Sequence, residues 1–334
     1  MLDLGNDQAR SWLTDHVDGL IVDQGIDLYR QDFNIDPLSF WRNRDAPDRQ
    51  GAAENHHIQG YLAYWDELRR RHPGMLIDTC ASGGRRNDLE TLRRAVPLLR
   101  SDYILEPVGQ QAHTYGISLW IPFFGTGVNS ADRYVFYSQM APHITACYDM
   151  RRTDLSYDAI RRHFAQWILT SGHFLGDYYP LTPYDLSDSS WMAWQFDEPE
   201  RARGMVQAFR HKASVYETAR FPLRGLDPRA EYTVHDLDND DVLKTATGSE
   251  LMEHGLPVTI SNRPGAAIVE YSKKDQGGPA RRHLHRSRSA PLRKPAEIGS
   301  RQVRHQPAEL TQGRRRVDLV QALLEYLEGQ AAGA

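Results

Sequence analysis

Apolar residues recur at helical spacing over residues 7–24, where Ala9, Trp12, Leu13, Val17, Leu20 and Ile21 share one stripe. Asn6 offers an N-cap ahead of the stripe and Gly25 a stop behind it. The period then changes: Ile26, Leu28 and Tyr29 predict a short buried strand whose end carries Asp32 out of the core. Residues 56–72 return to helical spacing with Ile58, Tyr61, Leu62, Trp65 and Leu68 inward, and Pro73 and Gly74 end that run. A strand follows over residues 75–80, a helix over 88–96, and Pro97 opens a strand that runs to Asp102. Farther on, residues 144–148 predict a strand, residues 157–174 a helix with Ile160, Phe164, Trp167 and Ile168 inward, and residues 175–181 a last strand of the same kind. Strands alternating with helices predict a parallel α/β sheet or barrel.

From about Trp191 the texture shifts to short strands in succession, over residues 205–210, 219–223, 232–236, 257–260 and 266–271, with turns at Asp227-Pro228 and Arg263-Pro264-Gly265. Past residue 274 the pattern fades. Residues 276–316 hold eleven Arg and Lys against two Glu, with few apolar residues, so they cannot bury enough surface to offset the entropy of ordering. Disorder is the expectation there, and residues 317–328 regain helical spacing. The chain thus divides into residues 1–190, an α/β part; 191–274, a small antiparallel β-sandwich; and 275–334, a basic low-complexity tail with a terminal helix.

Composition narrows the class. The formal charge of −4 conceals a basic tail on an acidic body, which marks the tail as a separate object. That tail lacks interleaved aromatics and any recognition motif, which argues against nucleic acid as a partner. No apolar run approaches the roughly 20 residues of a membrane span, and the start at Met1-Leu2-Asp3 does not read as a signal peptide, so a cytoplasmic location is expected. Two cysteines, Cys80 and Cys147, make no disulfide framework, and buried reduced thiols are expected. With no paired CxxC and no HExxH, neither a metal nor another cofactor is expected.

Candidate chemistry gathers at the strand ends, where catalytic groups of α/β barrels sit. Asp32 ends one strand, Cys80 the next before the glycine turn of residues 81–88, and Asp102 the one after that. A repeat of roughly 30 residues for each strand and helix places Asp102 about two strands from Asp32, near enough to face it across a barrel mouth. Asp36, Asp78, Asp88 and Glu106 compete as carboxylates, each with an alternative reading as a cap, a turn residue or a salt-bridge partner. Phe40 and Trp41 in the long loop of residues 35–55 suit either a ligand platform or loop packing. Trp120, in the aromatic stretch of residues 115–128, suits the floor of a pocket or plain packing. His56 and His57 read as cap or surface residues.

These motifs, in this order, resemble those of the α-galactosidases (melibiases) of glycoside hydrolase family 36. The family's opening LDLGN stands at residues 2–6, its K-W-D-x-N strand end at Arg30-Gln31-Asp32-Phe33-Asn34, its glycine turn at residues 80–88, and its later S-D pair at Ser101-Asp102. The resemblance extends to about residue 274. It implies the C-terminal part of a (β/α)8 TIM barrel, about strands four to eight, followed by a β-sandwich. It further implies hydrolysis of terminal α-galactosides with retention, with Asp32 as nucleophile, Asp102 as general acid/base, and Arg30, Asn34, Cys80 and Ser82 against the sugar. Arg30 replaces the usual lysine and Gln31 the usual tryptophan, which leaves the sugar preference open. The family also places about three strand-helix units and a β-domain ahead of LDLGN. The chain alone is therefore expected to be weakly active or inactive on α-galactosides, and a homo-oligomer or a complementing N-terminal half is a candidate partner. A carbohydrate-binding remnant and an α-N-acetylgalactosaminidase are the alternative readings.

Overall fold

The structure, a computed structural model, describes residues 1–103, 106–238 and 242–274. Residues Met1–Lys273 form one compact unit. The expectations for residues 275–334, disorder and a terminal helix, lie outside the described residues.

The chain opens with α1 (Asp7–Gln24). The Asn6 side chain accepts hydrogen bonds from the Gln8 and Ala9 N–H groups, and Gly25 ends the helix at φ 63°, a left-handed conformation that suits a residue without Cβ. β1 (Leu28–Gln31), α2 (Leu38–Arg42), α3 (Ala52–Arg71), β2 (Leu76–Thr79) and α4 (Leu89–Leu92) follow. After them come α5 (Pro107–Ile117), β3 (Gly125–Val128), α6 (Arg133–Ser138), β4 (His143–Ala146) and α7 (Tyr157–Thr170). β1 pairs in parallel with β2, Leu28 opposite Leu76, and β3 in parallel with β4, Gly125 opposite His143.

Residues 96–100 lie between those two pairs and join them. On one side Val96 N–H donates to Ile77 O and Thr79 N–H to Val96 O; on the other Gly125 N–H donates to Pro97 O and Arg100 N–H to Gly125 O. The expected strand from Pro97 to Asp102 is therefore an irregular segment. Pro97 has no N–H to give, and the Leu98 N–H donates to the Asp78 carboxylate at 3.0 Å instead of to a backbone carbonyl. The segment also takes three steps along the chain, from 97 to 100, where a parallel ladder takes two, which is the mark of a bulge.

Strand alternation settles what β1 presents. Tyr29 and Gln31 turn toward α3: the Tyr29 hydroxyl meets the Tyr64 hydroxyl at 2.9 Å, and the Trp65 indole N–H donates to Gln31 Oε1 at 2.6 Å. Leu28, Arg30 and Asp32 take the opposite face. The buried strand expected at Ile26, Leu28 and Tyr29 is thus covered on one face only, and Leu28 is 46% exposed. Tyr61, Tyr64, Trp65 and Leu68 of α3 pack with Leu4, Ile21, Ile77 and Ala95 into the core of this region. Trp12 and Leu20 of α1, and Ile58 of α3, remain exposed.

The rest of the unit is antiparallel. β5 (Asp177–Pro180), β6 (Trp191–Glu198), β7 (Arg203–Arg210), β9 (Glu231–Asp236), β10 (Val242–Thr247) and β12 (Gly265–Lys273) form one sheet in the order β10-β9-β12-β7-β6-β5. β8 (Thr218–Phe221) and β11 (Leu256–Thr259) form a ribbon, with α8 (Gly248–Glu253) between β10 and β11. Residues 175–181 were expected as a last barrel strand; instead β5 pairs antiparallel with β6, Asp177 opposite Asp197, and edges the sheet. Ala193, Val206, Ala208, Val234 and Val269 of the sheet pack against Phe221, Leu256 and Val258 of the ribbon. The other face of β6 and β7 meets the helices: Phe209 packs on Trp194 and on Tyr134 of α6, and Phe196 on Phe174.

Candidate active site

The Cys80–Asn87 turn is the centre of the site, because it touches both candidate acids. On one side stands Asp32, one residue past β1. Its Oδ1 accepts the Phe33 N–H at 2.8 Å, and its carboxylate accepts hydrogen bonds from the Asn34 side chain and the Cys80 thiol. The Asn34 amide is held in turn by Ser82, whose N–H and hydroxyl both donate to Asn34 Oδ1, at 3.0 and 2.7 Å. Partial burial pulls the Asp32 carboxyl upward, but the bonds from Asn34, Cys80 and Phe33, with the nearby Arg30 charge, outweigh it and hold it below the usual carboxylate range. Burial raises the Cys80 thiol, which therefore stays protonated and able to donate.

On the other side stands Asp102. Gly83 lies beside it: a Cβ placed on Gly83 would be in ordinary van der Waals contact, 3.4 Å from the Asp102 N and 3.9 Å from its carboxyl carbon. Backbone geometry fits that approach: Ser82 has φ 46° and Gly83 φ 83°, a left-handed pair that folds the turn tightly. Ser82 is not a glycine, so its conformation carries strain, which the two bonds to Asn34 help to hold. The Asn87 side chain anchors the far end of the turn by donating to Arg100 O at 3.1 Å.

Arg30, Asn34, Cys80 and Ser82 all belong to this one group. The Arg30 guanidinium pairs with the buried Asp78 carboxylate, whose other oxygen takes the Leu98 N–H. The competing carboxylates are occupied structurally. Asp78 is a salt-bridge partner, Asp36 pairs with Arg85 at 2.8 Å, Asp88 caps α4 through Thr91, and Glu106 caps α5. Asp102, by contrast, has no hydrogen-bond or ion-pair partner among the described residues.

Several neighbours went unread in the sequence. The Arg86 guanidinium lies between the Phe33 and Tyr61 rings, 4.6 Å from each centroid, and so braces the residue that follows Asp32. His57, expected as a cap or surface residue, is buried against Phe33 and Trp41. The reason is that α3 begins at Ala52, so position 57 falls inside the helix, on the stripe that includes Tyr61, Tyr64 and Leu68. Burial lowers the His57 pKa. Trp41 accordingly packs from α2, a short helix within the stretch expected as a long loop, whereas Phe40 and Trp120 stay exposed. Cys80 is a buried free thiol as expected, while Cys147 is only half-buried. No group of three or more His, Cys, Asp or Glu side chains suited to a metal ion occurs among the described residues.

Comparison with known proteins places this arrangement. The melibiase family model matches residues 1–132, and the model of the glycosyl hydrolase family 36 C-terminal domain matches residues 191–270. Among curated proteins, the chain is 23% identical to alpha-galactosidase 1 of Pediococcus pentosaceus over 76% of its own length and 36% of the relative's. It is 25% identical to alpha-galactosidase C of Emericella nidulans over 75% of its own length and 34% of the relative's. The chain therefore spans about a third of the length of the curated relatives it matches. Among solved structures, the alpha-galactosidase of Lactobacillus brevis superposes with a TM-score of 0.71 at 18% identity, covering 84% of this chain and 40% of that one. The alpha-galactosidase AgaA of Geobacillus stearothermophilus, in a complex with raffinose, gives 0.68 at 19% identity, covering 81% and 39%. Two family models matched in chain order, one over the residues that include Asp32, Cys80 and Asp102 and one over the antiparallel sheet, support a glycoside hydrolase family 36 chain that carries part of the family's length.

Proposed function

We propose that the chain contributes both catalytic carboxyl groups of a retaining α-galactosidase. Asp32 is the nucleophile and attacks the anomeric carbon. Asp102 first protonates the leaving oxygen and then activates the water that releases the sugar from Asp32. The observation that carries this reading is the Cys80–Asn87 turn, which hydrogen-bonds Asp32 through Cys80 and packs on Asp102 through Gly83. Asp32 is held ionised by three hydrogen bonds, while Asp102 has no hydrogen-bond or ion-pair partner among the described residues. Arg30, Asn34, Cys80 and Ser82 surround Asp32 and are assigned to the sugar ring; raffinose, seen in the Geobacillus neighbour, is the natural test substrate.

The parallel strands are proposed as an arc of a (β/α)8 barrel, about strands four to eight. Among the described residues β1 pairs only with β2, and Leu28 and Leu76 stand exposed on that first pair. A further strand seated along β1, from a complementing segment or a second copy, would cover this edge. Slow turnover by the isolated chain is expected for the same reason.

The test is hydrolysis of a nitrophenyl α-galactoside and of raffinose by the purified chain and its Asp102→Ala variant. Removing the general acid should slow raffinose far more than the nitrophenyl glycoside, whose leaving group needs no proton. Equal loss on both substrates would contradict the role given to Asp102. Galactose binding without any turnover would favour a carbohydrate-binding role.

A further inference from the structure

Arg30 stands near two carboxylates and bonds one of them. It lies opposite Asp78 in the ladder of β1 and β2, and Asp32 is the next residue of the chain on its face of the strand. Two residues of strand advance roughly 7 Å, a span that an extended arginine side chain can cover. The guanidinium nonetheless pairs with Asp78, and no ion pair or hydrogen bond joins it to Asp32 among the described residues. It still acts on Asp32 through space. Burial opposes the Arg30 charge, but the bond to Asp78, with the Asp78 and Asp32 charges nearby, more than restores it.

The choice between the two acids is fixed from the Asp78 side. Asp78 is 3% exposed, and both of its oxygens are taken: Oδ2 by Arg30 and Oδ1 by the Leu98 N–H at 3.0 Å. With one oxygen pinned to the backbone the carboxylate cannot turn away, so it holds the guanidinium at a set place. The Arg30 side chain is 41% exposed, and Asp78 takes hydrogen from its Nη1 alone among the described residues. The remaining N–H groups are left for the sugar. A guanidinium fork also matches a carboxylate through two parallel bonds, and Asp32 offers such a carboxylate within reach. Closing on Asp32 would tie up the oxygens that must attack and would withdraw the fork from the sugar.

We propose that Asp78 is a positioning residue that keeps Arg30 off the nucleophile: its fixed carboxylate holds the guanidinium beside Asp32, near enough to favour the ionised form and short of pairing with it. This rests on the reading of Asp32 as the nucleophile. The same carboxylate receives the N–H of Leu98, four residues before Asp102, and lies two residues before Cys80, which bonds Asp32. One side chain thereby ties together the three chain segments that deliver the site.

The experiment is a double-mutant cycle on the full chain with Asp78→Asn, Arg30→Gln and the pair together. The titration of Asp32 is followed by NMR of 13C-labelled aspartate carboxyl groups, with Asp32 assigned by its loss in Asp32→Asn. Asp78→Asn keeps an oxygen for the Leu98 N–H and removes the charge, so Arg30 should close on Asp32 and move its titration to lower pH. In the Arg30→Gln background the same substitution should move it much less. Where the parent turns over a nitrophenyl α-galactoside, Asp78→Asn should slow it by about tenfold or more while its acid limb moves down. A merely structural loss would slow turnover and leave the limb in place. In the parent chain, the Arg30 guanidinium nitrogen signals should hold their position while Asp32 titrates, a measurement that needs no folded variant. The proposal is overturned if those signals follow the Asp32 titration, if Asp78→Asn leaves that titration unmoved, or if the shift is as large without Arg30. The NMR arms decide it whether or not the chain hydrolyses galactosides, so its failure is distinct from failure of the hydrolytic reading.

Discussion

In the antiparallel sheet β6 and β7 each run eight residues and β12 nine, paired along most of their length, whereas β1, β2, β3 and β4 run four residues each. The sheet is covered on both faces at its centre. β1 is covered by α3 on one face and leaves Leu28, Arg30 and Asp32 on the other. The contrast separates two tasks. Long ladders and a doubly covered core hold shape without help from polar groups at the surface. Strand ends, a left-handed pair at Ser82 and Gly83, and an ion pair between Arg30 and the buried Asp78 position acids at the cost of local strain. The candidate chemistry therefore sits in the region that stabilises itself least, and the sheet serves as its footing.

Substitutions can break or sharpen that division. The largest expected effect is on activity. Asp32→Asn should lower turnover of a nitrophenyl α-galactoside by at least about a thousandfold while leaving the thermal midpoint nearly unchanged, because Asp32 is solvent-exposed. Next comes the sheet. Phe209 is fully buried between Trp194 and Tyr134, so Phe209→Ala should cost about 3–5 kcal/mol in a denaturant titration. If Phe209→Ala were instead mild, the sheet would not be the footing described.

A smaller effect is a displaced pH profile. Asp32 lies below its ordinary value, so it stays ionised as pH falls past about 4, and the acid limb of activity should lie below that pH. Its contribution to folding has the same sign: it is fully present above the ordinary carboxylate pKa and is lost as pH falls through the lowered one. Asn34→Ala removes one of the bonds that lower it and should move the acid limb upward, as a pH–rate series would reveal. Least of all, Trp12→Ala on the exposed face of α1 should change stability by no more than about 0.5 kcal/mol.

Legibility in the sequence followed the same division, though not uniformly. α1 could be placed to the residue because Asn6 and Gly25 are local signals whose geometry does not depend on the rest of the chain. The strand end at Asp32 and the turn after Cys80 were legible for a similar reason: a carboxylate or a glycine pair that interrupts an apolar run is visible without a partner. Features that depend on distant partners were not. Asp177, Tyr178, Tyr179 and Pro180 read as one more parallel strand, since nothing local says that β6 is their neighbour or that it runs the other way. β6 itself was missed because both of its faces are buried, so Gln195, Asp197 and Glu198 occupy interior positions and break the alternation that marks a half-covered strand. Its polar groups are satisfied across the chain, Gln195 and Asp197 by the Tyr271 hydroxyl.

The central claim is that Asp32 forms a covalent bond to the sugar. It is tested most directly by incubating the folded chain with a fluorinated α-galactosyl fluoride, which accumulates the glycosyl-enzyme even when turnover is slow, and locating the adduct by peptide mass spectrometry. The account predicts one added fluorogalactosyl group on the peptide that contains Asp32, with the anomeric fluoride released, and none on Asp32→Asn. An adduct on Asp78 or Asp102, or none on folded chain after prolonged exposure, would contradict it.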